Sequence, residues 1–284
     1  MIAENENVPP AWSAALKVIA LRCEHCHRSM ALRHLFARRS GIRLRDQVFC
    51  SPACFTSAAE DEFVRLLKSG VERSAHIARM PLELILMSRG LLTHAQLKQV
   101  SEDLKRAGGE SDEILTSLGW VSEKELTAAR AAQWACPVFA VPKHAIRIGI
   151  HIPSTLVHAY SMIPVHHSSA TNTLLVGFVR GIEYGLLYAI EQITGCKTQP
   201  CFVTPSDFQV QVEHRDRMLE ESRDTSVKEV TFVIDESPAK MAFSLFARCV
   251  KLASKEAIIV RCKEYLWARA KGGIQEEDII FKAG

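Results

Sequence analysis

The chain has 284 residues, 48% of them hydrophobic, and a formal net charge of only +3. This balance excludes a wholly disordered chain and supplies enough apolar material for a sizeable core, while the net charge is too small to argue for a nucleic-acid partner. The apolar run from Ala135 to Val141 falls far short of the ~20 residues a spanning helix requires. The acidic start MIAENENVPPAWSAA lacks the basic and apolar regions of a secretory signal, so a cytoplasmic protein is expected. In a reducing compartment nine cysteines do not read as a disulfide framework, and closely spaced ones point to metal.

Residues 1–19 read as a flexible lead into the first chemically informative segment. CEHCHRS and VFCSPACF place Cys23, Cys26, Cys50 and Cys54 in a C-x2-C-x23-C-x3-C pattern. Zinc favours four soft ligands in a tetrahedron, and two short chelating loops supply them. The alternative, a Cys23/Cys26 redox pair with two buried thiols, needs a βαβ pattern around Cys23, and none surrounds it. His25 and His27 read as solvated turn residues, although either could replace a cysteine as ligand. Between the two halves run Arg28, Arg33, Arg38, Arg39, Arg43 and Arg45 against a lone Asp46. The stripe can neutralise phosphates of a nucleic acid, or it is a solvated face offsetting thiolate charge. The single interleaved aromatic, Phe36, favours the solvated face.

An aromatic before CSPAC and a helix after it, from Phe55 to Leu67, resemble treble-clef zinc knuckles of the TRASH and MYM type, over about residues 20–68. That resemblance implies a knuckle domain at 20–70 with a role in protein contacts, metal sensing or nucleic-acid contacts.

After Gly70 an internal repeat appears. ELILMSRGLLTHAQLKQV and DEILTSLGWVSEKELTAA align with Gly90 on Gly119, an offset of 29. Ile85 then falls on Ile114, Leu86 on Leu115, Leu92 on Val121 and Leu97 on Leu126. Thr93 with Gln96, and Ser122 with Glu125, predict capping boxes. Gly90 and Gly119 stand where a helix end favours a left-handed residue. Four amphipathic helices are therefore expected to pack as a small bundle. Beyond them, SMIPVHH and NTLLVGFV predict short strands, residues 182–193 a helix stopped at Gly195, and KTQPCFV an edge strand carrying a proline. A charged helix should follow with Ser206 as its cap.

The glycine, two apolar residues, Ser or Thr and leucine, repeated at this offset, resemble the N-terminal domain of type II secretion and type IV pilus assembly ATPases, the GspE-N and MshEN type. AAQWACPVFAVPKHAI and then IPSTLVHAYSMIPVHHSSATNTLLVGFVRGIEYGLLYAIEQITGCKTQPCFVTPSDFQVQVEHR follow in that domain's order. The resemblance covers about residues 80–220 and implies a domain at 78–222 that docks a motor to its membrane platform.

A subset of that family binds cyclic di-GMP through the repeats, each opening with Arg-Leu-Gly and closing with glutamine. The matching positions here are Pro81, Leu82 and Glu83, and Glu110, Ser111 and Asp112; both arginines and both glycines are absent. Leu86, Gly90, Leu115 and Gly119 keep the scaffold, Gln133 keeps one closing glutamine, and Leu104 replaces the other. Arginine grips phosphate and glycine admits it, so cyclic di-GMP binding is not expected. GCKT from Gly195 is no phosphate loop, since the first glycine is missing, and ATP hydrolysis is excluded on the same ground.

After the charged hinge RDRMLEESRDTS the chain reads as a βαββ domain at 226–284: EVTFVID, a helix from Ser237-Pro238, EAIIVRC and EYLWARAKG. Cys136, Cys196, Cys201, Cys249 and Cys262 read as small buried hydrophobes. The expected fold is α+β: a zinc knuckle, a helical repeat bundle joined to a small α/β sandwich, and a βαββ unit. The expected function is that of a non-catalytic adaptor or regulator contacting secretion or pilus proteins. The competing expectation is a nucleic-acid-binding regulator using Arg33, Arg38, Arg39, Arg43 and Arg45.

Overall fold

The computed structural model of the protein describes residues 22–29, 42–69, 79–108, 111–142, 146, 148–221, 227–232, 237–273 and 275–282. The predicted lead at 1–19 lies outside them. Within them the fold is α+β and divides into two units, one of Met1–Gly70 with Ser226–Gly284 and one of Val71–Thr225.

The chain enters the first unit through a hairpin, β1 (Arg43–Leu44) and β2 (Gln47–Val48), whose turn holds Arg45 at φ 53°. Helix α1 (Pro52–Lys68) follows, with Ser51 as N-cap accepting from the Cys54 N–H and proline in the first turn. There the missing proline N–H has no intrahelical partner to lose. Its apolar stripe of Phe55, Ala59, Phe63 and Leu66 is buried.

The second unit opens with α2 (Leu82–Ser88), α3 (His94–Ala107), α4 (Ser111–Ser117) and α5 (Glu123–Trp134). Both capping boxes form as the sequence predicts, with reciprocal bonds at Thr93/Gln96 and Ser122/Glu125. Gly90 and Gly119 adopt φ of 71° and 67°, a conformation L side chains resist. Leu82, Ile85, Leu86, Leu92, Leu115, Val121 and Leu126 form the core between these helices.

Next come α6 (Ser154–Ala159), β3 (Met162–Ser168), β4 (Thr173–Phe178), α7 (Tyr184–Thr194), β5 (Lys197–Phe202) and α8 (Pro205–Glu221). β4 is central, antiparallel to β3 and parallel to β5. The proline-bearing β5 is therefore an edge, as predicted. Its outer side is partly covered, because Phe139 N–H donates to Phe202 O at 2.8 Å and Phe202 N–H to Pro137 O at 2.9 Å. The expected Ser206 cap is corrected: Thr204 Oγ1 accepts the Asp207 N–H, and Ser206 Oγ reaches Glu123 Oε2 at 2.6 Å. The hinge is also shorter than read, since α8 runs to Glu221; residues 222–226 lie outside the described set.

The chain then returns to the first unit with β6 (Val227–Phe232), α9 (Pro238–Lys251), β7 (Glu256–Cys262), β8 (Tyr265–Lys271) and β9 (Glu276–Lys282). Two expectations are corrected here. The C-terminal segment carries one strand more than βαββ, namely β9. Its residues Glu276, Glu277 and Asp278 break the apolar alternation that marks a strand, and arginines pair with all three carboxylates. The knuckle and the C-terminal segment are also not separate domains. β1 runs parallel to β7, pairing Arg43 with Glu256 and Leu44 with Ala257, so the six-stranded sheet has the order β2-β1-β7-β8-β9-β6.

The reason is burial. α1 and α9 pack together, and Phe55, Phe63 and Leu66 share one core with Met241, Leu245, Ile259, Leu266 and Phe281. The Phe63 and Phe281 rings meet edge to face at 5.4 Å. The knuckle segment has only the two-residue strands β1 and β2 to set against the apolar stripe of α1, so that stripe is covered by α9 and the C-terminal sheet. On alternate sheet positions Asp278 takes a bidentate pair from Arg269 at 2.7 and 2.8 Å and the Trp267 indole N–H at 2.8 Å.

Candidate functional site

The four cysteines of the two loops converge, with all their sulfurs within 4.8 Å of one another. Local chain geometry brings them there. Around Cys23 the chain folds back through an Arg22–Ser29 bridge. His27 turns it at φ 58° and donates its N–H to Cys23 O at 2.8 Å. Glu24 N–H reaches Val48 O at 3.3 Å, tying the first loop to the hairpin. Phe49, packed edge to face on Phe55 at 5.9 Å, fixes the approach to Cys50, while the Ser51 cap places Cys54 in the first turn of α1.

Cys26 Sγ lies 3.4 Å from Cys50 Sγ, which lies 3.6 Å from Cys54 Sγ. Sulfurs at ~2.3 Å from a tetrahedral zinc ion stand ~3.8 Å apart, so the spacing fits that group. The electrostatics agree. Burial opposes ionisation of Cys23, but the backbone groups of Cys26, Cys50 and His25 bring its thiol down to about 6. Cys50 is pushed up to about 12, first by the Cys26 sulfur, then by burial and the Cys54 and Cys23 sulfurs. Four thiolates so close repel one another, and a divalent cation relieves that repulsion. Four sulfur ligands leave no open position for substrate, which suits a structural site and not a catalytic one. His25 and His27 are exposed and stand outside the converging group.

The arginine stripe is only partly in view. Arg33, Arg38 and Arg39 lie outside the described residues. Arg28 and Arg43 are exposed. Arg45 is engaged internally, donating to Ile259 O at 2.9 Å and approaching Glu62 at 3.7 Å.

In the repeats, Leu82, Leu86 and Leu115 are core residues, Leu104 packs against that core, and Gln133 Nε2 donates to Met80 O at 2.7 Å. Pro81 sits at the N-cap of α2 with Glu83 in its first turn; Glu110 lies outside the described residues. The carboxylates heading the second repeat are occupied by this chain's own cations. Asp112 pairs with Arg130, which is 8% exposed and also donates to Val179 O at 2.6 Å. Glu113 pairs with Arg180 at 3.4 Å. Sequence reasoning missed both arginines, although Arg130 was detectable: it falls four residues after Leu126, on the helix face that Leu126, Thr127 and Ala129 bury.

Of the remaining cysteines, Cys201 and Cys249 are pushed up to about 12 by burial, as inert thiols are. Cys196 is buried but not in apolar surroundings, since its Sγ donates to Asn172 Oδ1 at 3.2 Å and lies 3.8 Å from His167 Nε2. Cys136 is only half-buried. Among the described residues no helix is long and apolar enough to cross a membrane.

No protein-family model matches the chain, and no curated protein matches it. Among solved structures it is similar to MshE with cdg, at 22% identity and TM-score 0.41, over 49% of this chain and 99% of that one. It is also similar to the N-terminal domain of XpsE in two crystal forms. These are 15% and 16% identical at TM-scores of 0.37 and 0.30, each covering 50% of this chain and 97% of that one. At these scores the similarities assign the chain no ligand and no activity.

Proposed function

We propose that the protein is a non-catalytic cytoplasmic adaptor or regulator. One unit is stapled by a zinc ion on Cys23, Cys26, Cys50 and Cys54, and the repeat unit works as a protein-contact scaffold. The zinc would supply folding free energy to the knuckle, since a segment with few apolar residues gains its order on binding metal. The repeat unit resembles the N-terminal domain of secretion and pilus ATPases in the order of its motifs, so secretion or pilus components are the partner class this reading names.

The observation that carries the reading is the internal pairing of Asp112 with Arg130 and Glu113 with Arg180. A dianionic nucleotide arriving at the head of the second repeat would meet carboxylates already paired with Arg130 and Arg180, which draws those two cations away from phosphate. What remains of the repeat is its scaffold: caps, glycine stops and leucine core. A contact surface needs no more than these.

Two measurements test it. Mass spectrometry of proteins co-purified with the tagged chain, with and without nuclease, should recover secretion or pilus components in both arms; recovery that vanishes with nuclease would replace the adaptor by a nucleic-acid-binding regulator. Isothermal titration with cyclic di-GMP should show no heat of binding, and micromolar binding would show that these pairs do not exclude the nucleotide.

A further inference from the structure

The apolar run from Ala135 to Val141 is not core. None of its residues is buried, and Ala135, Pro137, Val138 and Ala140 are exposed. It lies along the outer side of β5 in a parallel bridge of Val138 with Phe202. The bonds of that bridge are made by Pro137 O and the Phe139 N–H, which turns the N–H and C=O of Val138 itself away from β5. Neither of those groups has a partner among the described residues. Further along β5 the edge is closed, because the Thr198 N–H donates to Glu191 Oε1 at 2.7 Å and Pro200 has no N–H. Unpaired backbone groups under apolar side chains are a template for an added strand.

Exposed aromatic and aliphatic side chains gather at the same place. The half-buried Trp134 ring stands 6.3 Å from Tyr184 and 6.4 Å from Phe202. Val138 is 47% exposed, Tyr184 48% and Tyr188, one turn further along α7, 64%. Met80, whose O accepts from Gln133 beside Trp134, is 58% exposed. A patch rich in Tyr, Trp and Met has the composition of an interface centre and not of ordinary surface. Arg79 gives it charge. Its guanidinium stacks over the Trp134 ring, 3.5 Å from the centroid, and among the described residues no carboxylate pairs with it. Burial pushes the Cys136 thiol up, and the nearby Arg79 charge opposes that shift. Stacking holds the cation in place without neutralising it.

We infer that the Val138 edge and the patch around Trp134 form a docking site for an extended, acidic and apolar segment of a partner protein. The segment adds a short strand outside Val138, sets its apolar side chains against the exposed aromatics, and gives a carboxylate to Arg79. The inference rests on the protein-contact reading above and gives that partner its chemistry.

The test uses the full-length protein and a fluorescein-labelled peptide, Ser-Glu-Val-Leu-Val-Glu-Ser. One twin carries lysine for both glutamates, and another is N-methylated at the leucine and the valine after it, so that neither of its edges pairs. Fluorescence anisotropy should show the parent peptide binding at least about tenfold more tightly than either twin, and weakening as salt is raised. Arg79→Glu should remove the preference for glutamate over lysine, and Val138→Asp should weaken the parent peptide at least about tenfold. Neither side chain belongs to the repeat core, so circular dichroism and the thermal midpoint should stay unchanged in both variants. Equal binding of the glutamate and lysine peptides, equal binding of the N-methylated twin, or an undiminished preference in Arg79→Glu would overturn the inference. Light scattering adds one more arm: a dimer that Val138→Asp abolishes would put a second copy on this edge in place of the partner. Capture of partners by the tagged protein keeps the two readings apart. A partner retained equally by both variants removes the docking site and leaves the adaptor. Variant-sensitive peptide binding with no partner recovered removes the adaptor and leaves the docking site.

Discussion

In the Val71–Thr225 unit the four helices of the repeat pack on one another within one short stretch of chain; α3 and α5 are entered through capping boxes, and α2, α3 and α4 are left through Gly90, Gly108 and Gly119. In the other unit Leu44 lies in register with Ala257, and Phe63 meets Phe281 edge to face. Local contacts close short loops at small entropic cost, whereas joining the two ends of a chain closes a very long one. The unit that must close the long loop is also the one with the cysteine cluster and with a buried, bidentate Arg269–Asp278 pair. The long closure is made by the β1–β7 pairing and the shared apolar core, whereas the second unit relies on capping, apolar spacing and the buried Arg130–Asp112 pair.

The largest expected effect separates the units at once. Cys50→Ser should release zinc and loosen residues 42–69 together with 237–282, because both segments share one core. The 79–221 repeat and sandwich should keep their protection. Hydrogen exchange followed peptide by peptide, alongside a colorimetric zinc assay, reads both; protection lost only in 42–69 would break the idea of a shared core. Asp278→Ala comes next. It leaves Arg269 buried with its main partner gone, a loss of about 3–5 kcal/mol, measurable as a lowered urea midpoint for the first unit.

Leu115→Ala in the second unit removes a fully buried side chain and should cost about 2–5 kcal/mol. Zinc content should be unchanged, and a fall in bound zinc would show the cores to be coupled. The smallest effect belongs to the caps. Ser122→Ala should cost about 1 kcal/mol, seen as a modest drop in the second unit's thermal midpoint. Glu125 supplies a pH signature for the same box. Its carboxyl is held below the usual range by the Ser122 hydroxyl and backbone N–H. Its contribution is therefore complete above the unfolded value and is lost as pH falls towards the folded one. A midpoint difference between wild type and Ser122→Ala should shrink at acid pH.

Particular residues show how much of this was legible. The Thr93 and Ser122 boxes, the Gly90, Gly119 and Gly195 stops and the edge position of β5 could be read because each depends on neighbours a few places away or on one proline. The Ser206 cap was misplaced because a serine, a proline and a threonine adjoin at that helix start, and the choice of Thr204 is made where Ser206 turns to Glu123 from another helix. β9 was overlooked because its acidic half is stabilised by Arg248 from α9 and Arg269 from β8 and not by an apolar alternation.

By itself the sequence determined the cysteine spacing, the twofold helical repeat, the loss of the arginines and glycines from the nucleotide motif, and the α+β class. These follow from spacing along the backbone, which is fixed before any folding. Only the tertiary structure decided that the knuckle hairpin extends the C-terminal sheet and that Arg130 and Arg180 pair with the carboxylates heading the second repeat. Those outcomes depend on which distant side chain arrives as partner. The periodicity of a segment says that it has a face to bury or a charge to satisfy, and leaves the identity of the partner to packing.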